Sequence, residues 1–355
     1  MRCLLVIDPG GRVVLGDVDS GVRVQVGGER PAPPQARRSQ ARTAVWSPAG
    51  QWTAWSLDSQ ELDGVREVCL HDEGSDTTRV IASELTAFYL CPSPCGRYLS
   101  HLSPGPLGLE LAVSDVHTGE LRIIERGQPL FWSWSPDSSR IAIHVEQRVL
   151  VAPADGGAVQ LLSDRAGSFV APWWMPDGSM VFVVDDEIIC HGPDGSVTAL
   201  AAAGTGRFAL DPDGRRLAFI DVVQDQPCLV VTDLLTGERD VVTTERTAAF
   251  FWSPQGLRLA ALVQAGPSQL QWIVFDGEGV ARLAPFRPGG GWLRDVLPFF
   301  EQYAQSHAVW SDDGTQLVAA GLDANGSTEA VVQSVTRPAS TETFPGARLA
   351  WWAAE

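Results

Sequence analysis

The sequence contains no lysine, since all 26 basic side chains are arginine, and its single asparagine is Asn325. Without lysine the chain cannot form a Schiff base with a carbonyl substrate, and it lacks the lysine of a phosphate-binding P-loop. No apolar run reaches the roughly 18 residues that a membrane-spanning helix needs. The first eight residues are too few for the apolar core of a signal peptide. We therefore expect a cytoplasmic protein, and the arginine bias is typical of a GC-rich bacterial genome.

Cysteine and positive charge are also scarce. The six cysteines include no C-x-x-C pair, and Cys91 and Cys95 stand four residues apart in a turn, which favours structural thiols over a redox pair. The formal net charge is −17. Nucleic acids and anionic membranes are poor partners for such a chain because both require a basic surface.

One phrase recurs along the chain: an aromatic residue, Ser or Asp, Pro, a polar residue, Gly and then an apolar run. In this phrase Pro presets φ and Gly accepts a positive φ, so each copy predicts two strands, A and B, joined by a tight turn. A second hairpin of strands C and D follows each copy, as in Leu229–Val242. The clearest copies are Ala44–Leu57, Phe131–Val145, Phe208–Asp221, Phe250–Val263 and Ala308–Gly321.

The spacing of the copies indicates a β-propeller. Most gaps lie between 36 and 46 residues and one is 58, close to the roughly 40–45 residues of a four-stranded blade. These gaps separate the residues at the aromatic position, Trp46, Pro92, Trp134, Trp174, Leu210, Trp252 and Trp310. We predict that the tryptophans serve core and inter-blade packing.

The two chain ends complete the count. Arg2–Asp8 reads as a B strand, Val13–Val26 reads as a C–D hairpin, and Ala347–Trp352 reads as an A strand without a B strand after it. A blade built from both ends would pair strand edges that are otherwise exposed. We therefore predict one all-β domain over residues 1–355, an eight-bladed propeller of four-stranded antiparallel blades. Its closing blade combines 347–353 with 2–26, and the alternative is seven blades.

The W-S-P-D-G phrase followed by an L-x-x-A run resembles the WD40-like β-propeller repeats of TolB-type proteins, which also occur in the propellers of prolyl oligopeptidase relatives. The resemblance covers the whole chain and implies the fold. It carries no single function, because such repeats serve scaffolds, binders and peptidase lids. The peptidase activity does not carry over, since the sequence has no G-x-S-x-G motif. Individual copies depart from the phrase: in one Pro92 replaces the Trp, and in another Asp312 replaces the Pro.

Two inserts, 27–43 and 284–307, fall on the predicted D–A connections, the rim where B–C and D–A loops lie. The first bears Arg37 and Arg38. The second indicates a short amphipathic helix that Pro298 must either begin or break. One interpretation is a plug over the channel mouth, and the other is a recognition surface. The recognition residues would be Trp292, Arg294, Phe299, Phe300, Glu301, Tyr303 and His307, with Arg37 and Arg38 as contacts for an acidic partner.

The sequence offers no catalytic constellation, metal-binding cluster or cofactor motif. The six histidines are scattered, and only His101, His144 and His307 are expected to point toward the loop-rich rim. The Asp- and Gly-containing loops near Asp58 and Asp323 lack EF-hand spacing and favour ordinary turns.

These observations predict a monomeric, non-catalytic scaffold that binds a protein or peptide on the B–C/D–A rim. The alternative is a small-molecule binder or an enzyme that uses the central funnel near Tyr303 and His307. We predict no metal or cofactor.

Overall fold

The chain forms a ring of eight antiparallel sheets. The computed structural model describes residues 2–28, 40–58 and 66–353. Within those ranges every sheet has four strands, and strands that follow one another in the chain are neighbours in each sheet. The predicted eight-bladed propeller is confirmed, and the seven-blade alternative is wrong. Strands are called A to D from the ring axis outward.

The strands have the following bounds in chain order. The closing blade begins with β1 (Cys3–Ile7), β2 (Val13–Asp17) and β3 (Arg23–Gly27). Blade 1 has β4 (Gln40–Trp46), β5 (Trp52–Asp58), β6 (Glu67–Asp72) and β7 (Thr77–Ser83). Blade 2 has β8 (Tyr89–Pro92), β9 (Tyr98–Gly105), β10 (Gly108–Asp115) and β11 (Leu121–Gly127). Blade 3 has β12 (Leu130–Trp134), β13 (Arg140–Val145), β14 (Arg148–Pro153) and β15 (Gln160–Ser163).

The second half of the ring follows the same order. Blade 4 has β16 (Trp173–Trp174), β17 (Met180–Val184), β18 (Glu187–His191) and β19 (Val197–Ala202). Blade 5 has β20 (Phe208–Leu210), β21 (Arg216–Val223), β22 (Gln226–Asp233) and β23 (Arg239–Thr243). Blade 6 has β24 (Thr247–Trp252), β25 (Leu259–Gly266), β26 (Gln269–Phe275) and β27 (Val280–Arg282). Blade 7 has β28 (Arg287–Pro288), β29 (Gln316–Leu322), β30 (Thr328–Ser334) and β31 (Thr341–Pro345), and β32 (Leu349–Trp352) completes the closing blade.

The closing blade joins the two ends of the chain. β32 pairs antiparallel with β1, with Leu4 opposite Trp352 and Ile7 opposite Leu349. The order in this sheet is β3, β2, β1 and β32, which fits the predicted sharing of one blade between residues 2–26 and 347–353. Leu4, Leu349 and their neighbours are buried, so the pairing also contributes apolar packing.

The repeated phrase forms the A–B turns. In blade 6 the Ser253 hydroxyl accepts a hydrogen bond from the backbone N–H of Arg258 at 3.1 Å, and the Ser253 N–H donates to the Arg258 carbonyl at 2.8 Å. Gly256 lies between them with φ +67°, a left-handed conformation that favours glycine. The serine hydroxyl and the residue with positive φ therefore both contribute to the geometry of this turn.

The tryptophans of the phrase link neighbouring blades through hydrogen bonds as well as packing. The indole N–H of Trp310 donates to the carbonyl of Phe251 in the preceding blade at 3.0 Å, and that of Trp252 donates to the carbonyl of Ala209 at 3.2 Å. Trp174 bonds to the Ser133 carbonyl in the same way. The accepting carbonyls lie on A strands, whose inner edges face the axis and have no fifth strand to pair with. The phrase therefore repeats an inter-blade contact in addition to a turn.

Within residues 2–28, 40–58 and 66–353, helical structure is confined to one segment of blade 7. β28 pairs with the end of β29, and Trp310 returns to pair with Leu317 on that strand. The insert between Pro288 and Trp310 therefore interrupts strand A of blade 7 and does not precede that strand. The described part of the chain contains no helix long and apolar enough to cross a membrane.

Candidate functional site

Residues 290–307, called the plug below, turn into the ring from the B–C/D–A rim. The plug comprises α1 (Gly290–Asp295), a 3₁₀ turn (Leu297–Phe299) and α2 (Phe300–Tyr303). Pro298 lies in the 3₁₀ turn and separates the two helices, because a proline inside a helix removes an N–H donor. The predicted helix is therefore present but broken.

Apolar packing holds the plug against several blades. Trp292 and Phe300 are fully buried. The ring of Phe300 lies 4.7 Å from that of Phe250, and the ring of Trp292 lies 6.0 Å from that of Trp272. Burial of aromatic side chains of this size contributes several kcal/mol of stability. This part of the insert is as well packed as the blade cores.

Gln302 bonds the plug to the inner edge of blade 3. Its Oε1 accepts a hydrogen bond from the backbone N–H of Trp132 at 2.8 Å, and its Nε2 donates to the backbone carbonyl of Trp132 at 2.7 Å. The Gln302 backbone carbonyl accepts from the Tyr89 hydroxyl of blade 2 at 2.8 Å. One side chain thus satisfies both backbone groups of an unpaired strand edge, as a neighbouring strand would.

His307 ends the plug in a buried, neutral network. Its Nε2 lies 3.2 Å from the Ala44 carbonyl, which can only accept, so this nitrogen carries the proton. Its Nδ1 then accepts from the Ser306 hydroxyl at 2.6 Å, and the same hydroxyl contacts that of Tyr89. Burial lowers the pKa of His307 to about 3. Both ring nitrogens are therefore occupied within the plug, and the imidazole is uncharged at neutral pH.

A partly buried ion pair joins the plug to blade 5. The Arg207 Nε lies 2.6 Å from the Glu301 Oε1, and its Nη1 donates to the Ala248 carbonyl at 3.1 Å. Its guanidinium also lies 4.2 Å above the ring of Phe300. Burial raises the pKa of Glu301, and the Arg207 charge only partly opposes that rise. Together with the bonds to blades 1, 2 and 3, this pair fixes the plug from several sides.

At the opposite end of the axis the described residues form a funnel of about 550 Å³. Its wall consists of residues at the ends of the A strands and in the A–B turns, including Trp46, Trp173 and Trp252. Its floor consists of plug residues 304–307. The ring therefore has one sealed end and one concave end.

A groove of about 630 Å³ lies beside the plug on the sealed rim. Apolar residues of the plug and of neighbouring loops form much of its surface, among them Leu293, Leu297, Pro298, Pro267 and Leu322. Three arginines, Arg207, Arg246 and Arg287, complete it. Arg246 is exposed and has no ion-pair partner among the described residues. Arg287 donates to the Asp323 carbonyl at 3.2 Å.

The structure divides the predicted binding residues into two groups. Trp292, Phe300, Glu301, Tyr303 and His307 are buried inside the plug. Phe299 keeps 45% of its surface exposed, and the side chain of Arg294 keeps 73%. Each of these two exposed residues directly follows, in sequence, a residue that lines the groove. Arg37 and Arg38 lie outside the described residues. The plug interpretation thus describes the position of the segment, and any binding by the exposed group stays a prediction.

The sequence predicts a central funnel near Tyr303 and His307, and His307 does lie at its floor, but the tryptophan lining and the groove were not predicted. The prediction that the tryptophans serve packing is incomplete, because Trp46, Trp173 and Trp252 also line the funnel. Of the groove residues, Arg246 precedes β24 and Arg287 begins β28, and nothing in their local sequence marks them. The chain topology could have indicated the groove, because every A strand begins at the rim where the insert enters the ring.

Three of the remaining histidines and three of the cysteines are buried. The predicted rim histidines His101 and His144 are both buried: His101 lies against the neighbouring strand, whereas the His144 Nδ1 contacts the Val170 carbonyl in the connection between blades 3 and 4. His101 bonds to the Ser114 hydroxyl at 2.9 Å, and burial lowers its pKa to about 4. All six cysteines are free, and no group of three metal-ligating side chains occurs among the described residues.

Comparisons with known proteins agree with the fold. No family model matches the chain, and no curated protein matches it. Among solved structures, a eukaryotic initiation factor is matched over 100% of this chain and 99% of its own length, at 12% identity and a TM-score of 0.62. The dihydro-heme d1 dehydrogenase NirN is matched over 99% of this chain and 75% of its own, at 14% identity and a TM-score of 0.62.

TolB is matched too. The TolB from Acinetobacter baumannii aligns with 78% of this chain at 17% identity and a TM-score of 0.42, and this chain spans 61% of that protein's length. Enzymes and non-enzymes share this architecture, so likeness at such identities shows the fold alone. The fold that the resemblance implies is confirmed by the eight four-stranded sheets: the chain is an eight-bladed β-propeller.

Proposed function

We propose that this propeller is a binding protein whose B–C/D–A rim holds an acidic, apolar-containing peptide segment of a partner protein. The observation that carries the proposal is the groove beside the plug, where Arg246 and Arg287 adjoin exposed apolar surface in a chain of net charge −17. Cationic groups are otherwise mostly engaged by carboxylates on this protein, as in the Arg165–Asp185 and Arg215–Asp233 pairs.

The groove has the composition of an interface centre. Leu293 is 45% exposed at its edge, and Phe299 lies just beyond on the same segment with an equal exposed fraction. Aromatic and arginine side chains are enriched among residues that dominate binding energy. The rigid plug beneath them keeps these groups in place, which lowers the conformational entropy lost on binding.

Charge gives the proposed site its selectivity. The net negative charge of the protein repels acidic segments. An acidic partner therefore binds favourably only where its attraction to nearby arginines exceeds its repulsion from distant carboxylates. Charges separated by more than about 8 Å of solvent are largely screened at physiological ionic strength. Arg246 and Arg287 therefore act on a bound carboxylate while most of the net negative charge does not.

The test uses a fluorescein-labelled peptide that alternates Asp and Leu, with a control peptide carrying Asn at every Asp position. We expect saturable binding of the acidic peptide, measured by fluorescence anisotropy, and a loss of about tenfold or more in the Arg246→Ala/Arg287→Ala variant. Arg165→Ala, which removes an exposed arginine between blades 3 and 4, is the control and should bind normally. Equal binding by the Asn peptide, or equal affinity in the groove and control variants, would contradict the proposal.

A further inference from the structure

Three phenylalanine rings on the sealed rim form one connected group, called the phenylalanine shelf below. Phe299 belongs to the plug, Phe131 to β12, and Phe169 to the connection between blades 3 and 4. The rings of Phe131 and Phe169 are stacked with their centroids 4.4 Å apart. The centroid of Phe299 lies 6.2 Å from that of Phe131, with an angle of 87° between the ring planes. Because Phe131 contacts both of the other rings, the phenylalanine shelf is one surface built from three parts of the chain.

The protein leaves part of the phenylalanine shelf uncovered. Phe299 keeps 45% of its surface exposed, and Phe169 is partly exposed. Phe131 is buried between them, and the neighbouring Phe300 is fully buried. A single exposed apolar side chain is common on protein surfaces, whereas a continuous apolar surface marks a site of interaction. The contact among these rings places the phenylalanine shelf in the second class.

The rings of the phenylalanine shelf are held in place by the protein itself. His144 Nδ1 lies 2.9 Å from the carbonyl of Val170, which can only accept, so the histidine donates to the residue that follows Phe169. The His144 ring also lies 4.8 Å from the ring of Phe169. Phe299 directly follows Pro298, whose ring fixes the backbone of the 3₁₀ turn. A side chain that packs on rings fixed in this way costs little additional conformational entropy.

The phenylalanine shelf continues the groove of the proposed function. Leu297 and Pro298 line the groove, and Phe299 is the next residue of the same 3₁₀ turn. The groove arginines Arg246 and Arg287 belong to the side of blades 6 and 7, and the phenylalanine shelf rests on blades 3 and 4. An extended peptide advances about 3.4 Å per residue. A segment bound in the groove therefore reaches the phenylalanine shelf within a few residues.

We infer that the partner segment carries an aromatic side chain that packs on the phenylalanine shelf while its acidic residues lie in the groove. This inference rests on the proposed function and specifies which apolar residue the segment needs. Edge-to-face or offset-stacked contact between aromatic rings raises affinity by about twofold to tenfold beyond the effect of buried area. An aliphatic side chain lacks this contribution, so the site prefers an aromatic residue to leucine.

The experiment extends the acidic peptide described above. Each extended peptide carries one Phe, Leu or Ser after a spacer of one to four glycines, at either end, and fluorescence anisotropy measures its affinity. We expect the tightest Phe peptide to bind about fivefold or more tighter than its Ser match, and about twofold or more tighter than its Leu match.

The outcomes separate this inference from the proposal on which it rests. If the acidic peptides bind but no Phe peptide binds tighter than its Ser match, the inference fails and the proposed function stands. Equal gains from Phe and Leu also overturn the inference, because they show no aromatic preference. If no acidic peptide binds at all, the proposed function fails and the inference fails with it.

Variants locate the aromatic contact. Phe299→Ala should bring the affinities of the Phe and Ser peptides to within about twofold of each other, and Phe299→Tyr should restore the difference. Leu235→Ala, which removes a side chain 80% exposed in a C–D turn of blade 5, is the control and should keep the full difference. Circular dichroism at the assay temperature checks that each variant is folded. A folded Phe299→Ala protein that keeps the full difference would overturn the inference.

Discussion

The two ends of the ring solve one physical problem in different ways. At both ends the inner edges of the A strands present backbone groups that have no neighbouring strand. At the sealed end, plug side chains such as Gln302 and His307 bond to these groups. At the open end, indoles such as Trp310 do so from the next blade. The plug occurs once and can occupy the channel along the axis. A tryptophan that recurs from blade to blade bonds to the strand edge without occupying that channel.

This difference also separates stability from binding. Side chains of the plug are mostly buried and neutral or paired, so mutation there should cost folding free energy. The wall of the funnel keeps several aromatic rings partly exposed. Mutations at the two ends can therefore show whether the plug contributes to the free energy of unfolding as its contacts indicate.

The largest effect is expected from a pair of adjacent phenylalanines. Phe300→Ala removes a fully buried ring that packs against Phe250 and Arg207, and should lower the free energy of unfolding by about 3–5 kcal/mol. Phe299→Ala removes a ring with 45% of its surface exposed and should cost about 1 kcal/mol or less. Urea denaturation followed by tryptophan fluorescence measures both. Similar losses in the two variants would mean that the segment is not seated in the channel as described.

A smaller effect concerns pH and His307. The folded-state pKa of about 3 lies below the unfolded value of 6.5, so the unfolded chain binds a proton that the folded chain excludes. The stability contributed by His307 is therefore complete above pH 6.5 and declines as the pH falls toward 3. His307→Gln should reduce the loss of stability between pH 7.5 and 5.5 by about 1.4 kcal/mol.

The control for this measurement is His117→Gln, which alters a histidine exposed in a C–D turn. Denaturation midpoints at the two pH values should change in the His117 variant as they do in the unmodified protein. If the His307 variant also keeps the full pH dependence, the imidazole is accessible to protons in the folded state, contrary to its burial.

The smallest effect tests the indole bonds of the open end. Trp310→Phe removes an N–H that donates to the Phe251 carbonyl, whereas Trp352→Phe removes a buried N–H without a partner among the described residues. The change in side-chain volume is the same in both. The first variant should therefore be less stable than the second by about 1 kcal/mol, as judged by urea denaturation. Equal stabilities would indicate that the repeated tryptophans act through packing alone.

The sequence predicted the ring more fully than it predicted the sites. Blade number and closure follow from short-range patterns that recur, so each copy supports the others. The plug occurs once, and Pro298 resets the helical phase between α1 and α2, so periodicity could not decide that Phe300 faces inward and Phe299 outward. The groove depends on Arg246 and Arg287, which lie 41 residues apart in sequence and meet only because blades 6 and 7 are neighbours.

The pairing of Leu4 with Trp352 has a consequence for how the chain resists self-association. Until its last strand arrives, β1 offers a free edge to which another molecule could add a strand. Bringing such distant residues together costs only on the order of 2 kcal/mol more than closing a single blade, because loop entropy grows with the logarithm of length. At that modest cost, the pairing of β32 with β1 removes both the free edge that could accept a strand and the unpaired strand that could add to another molecule.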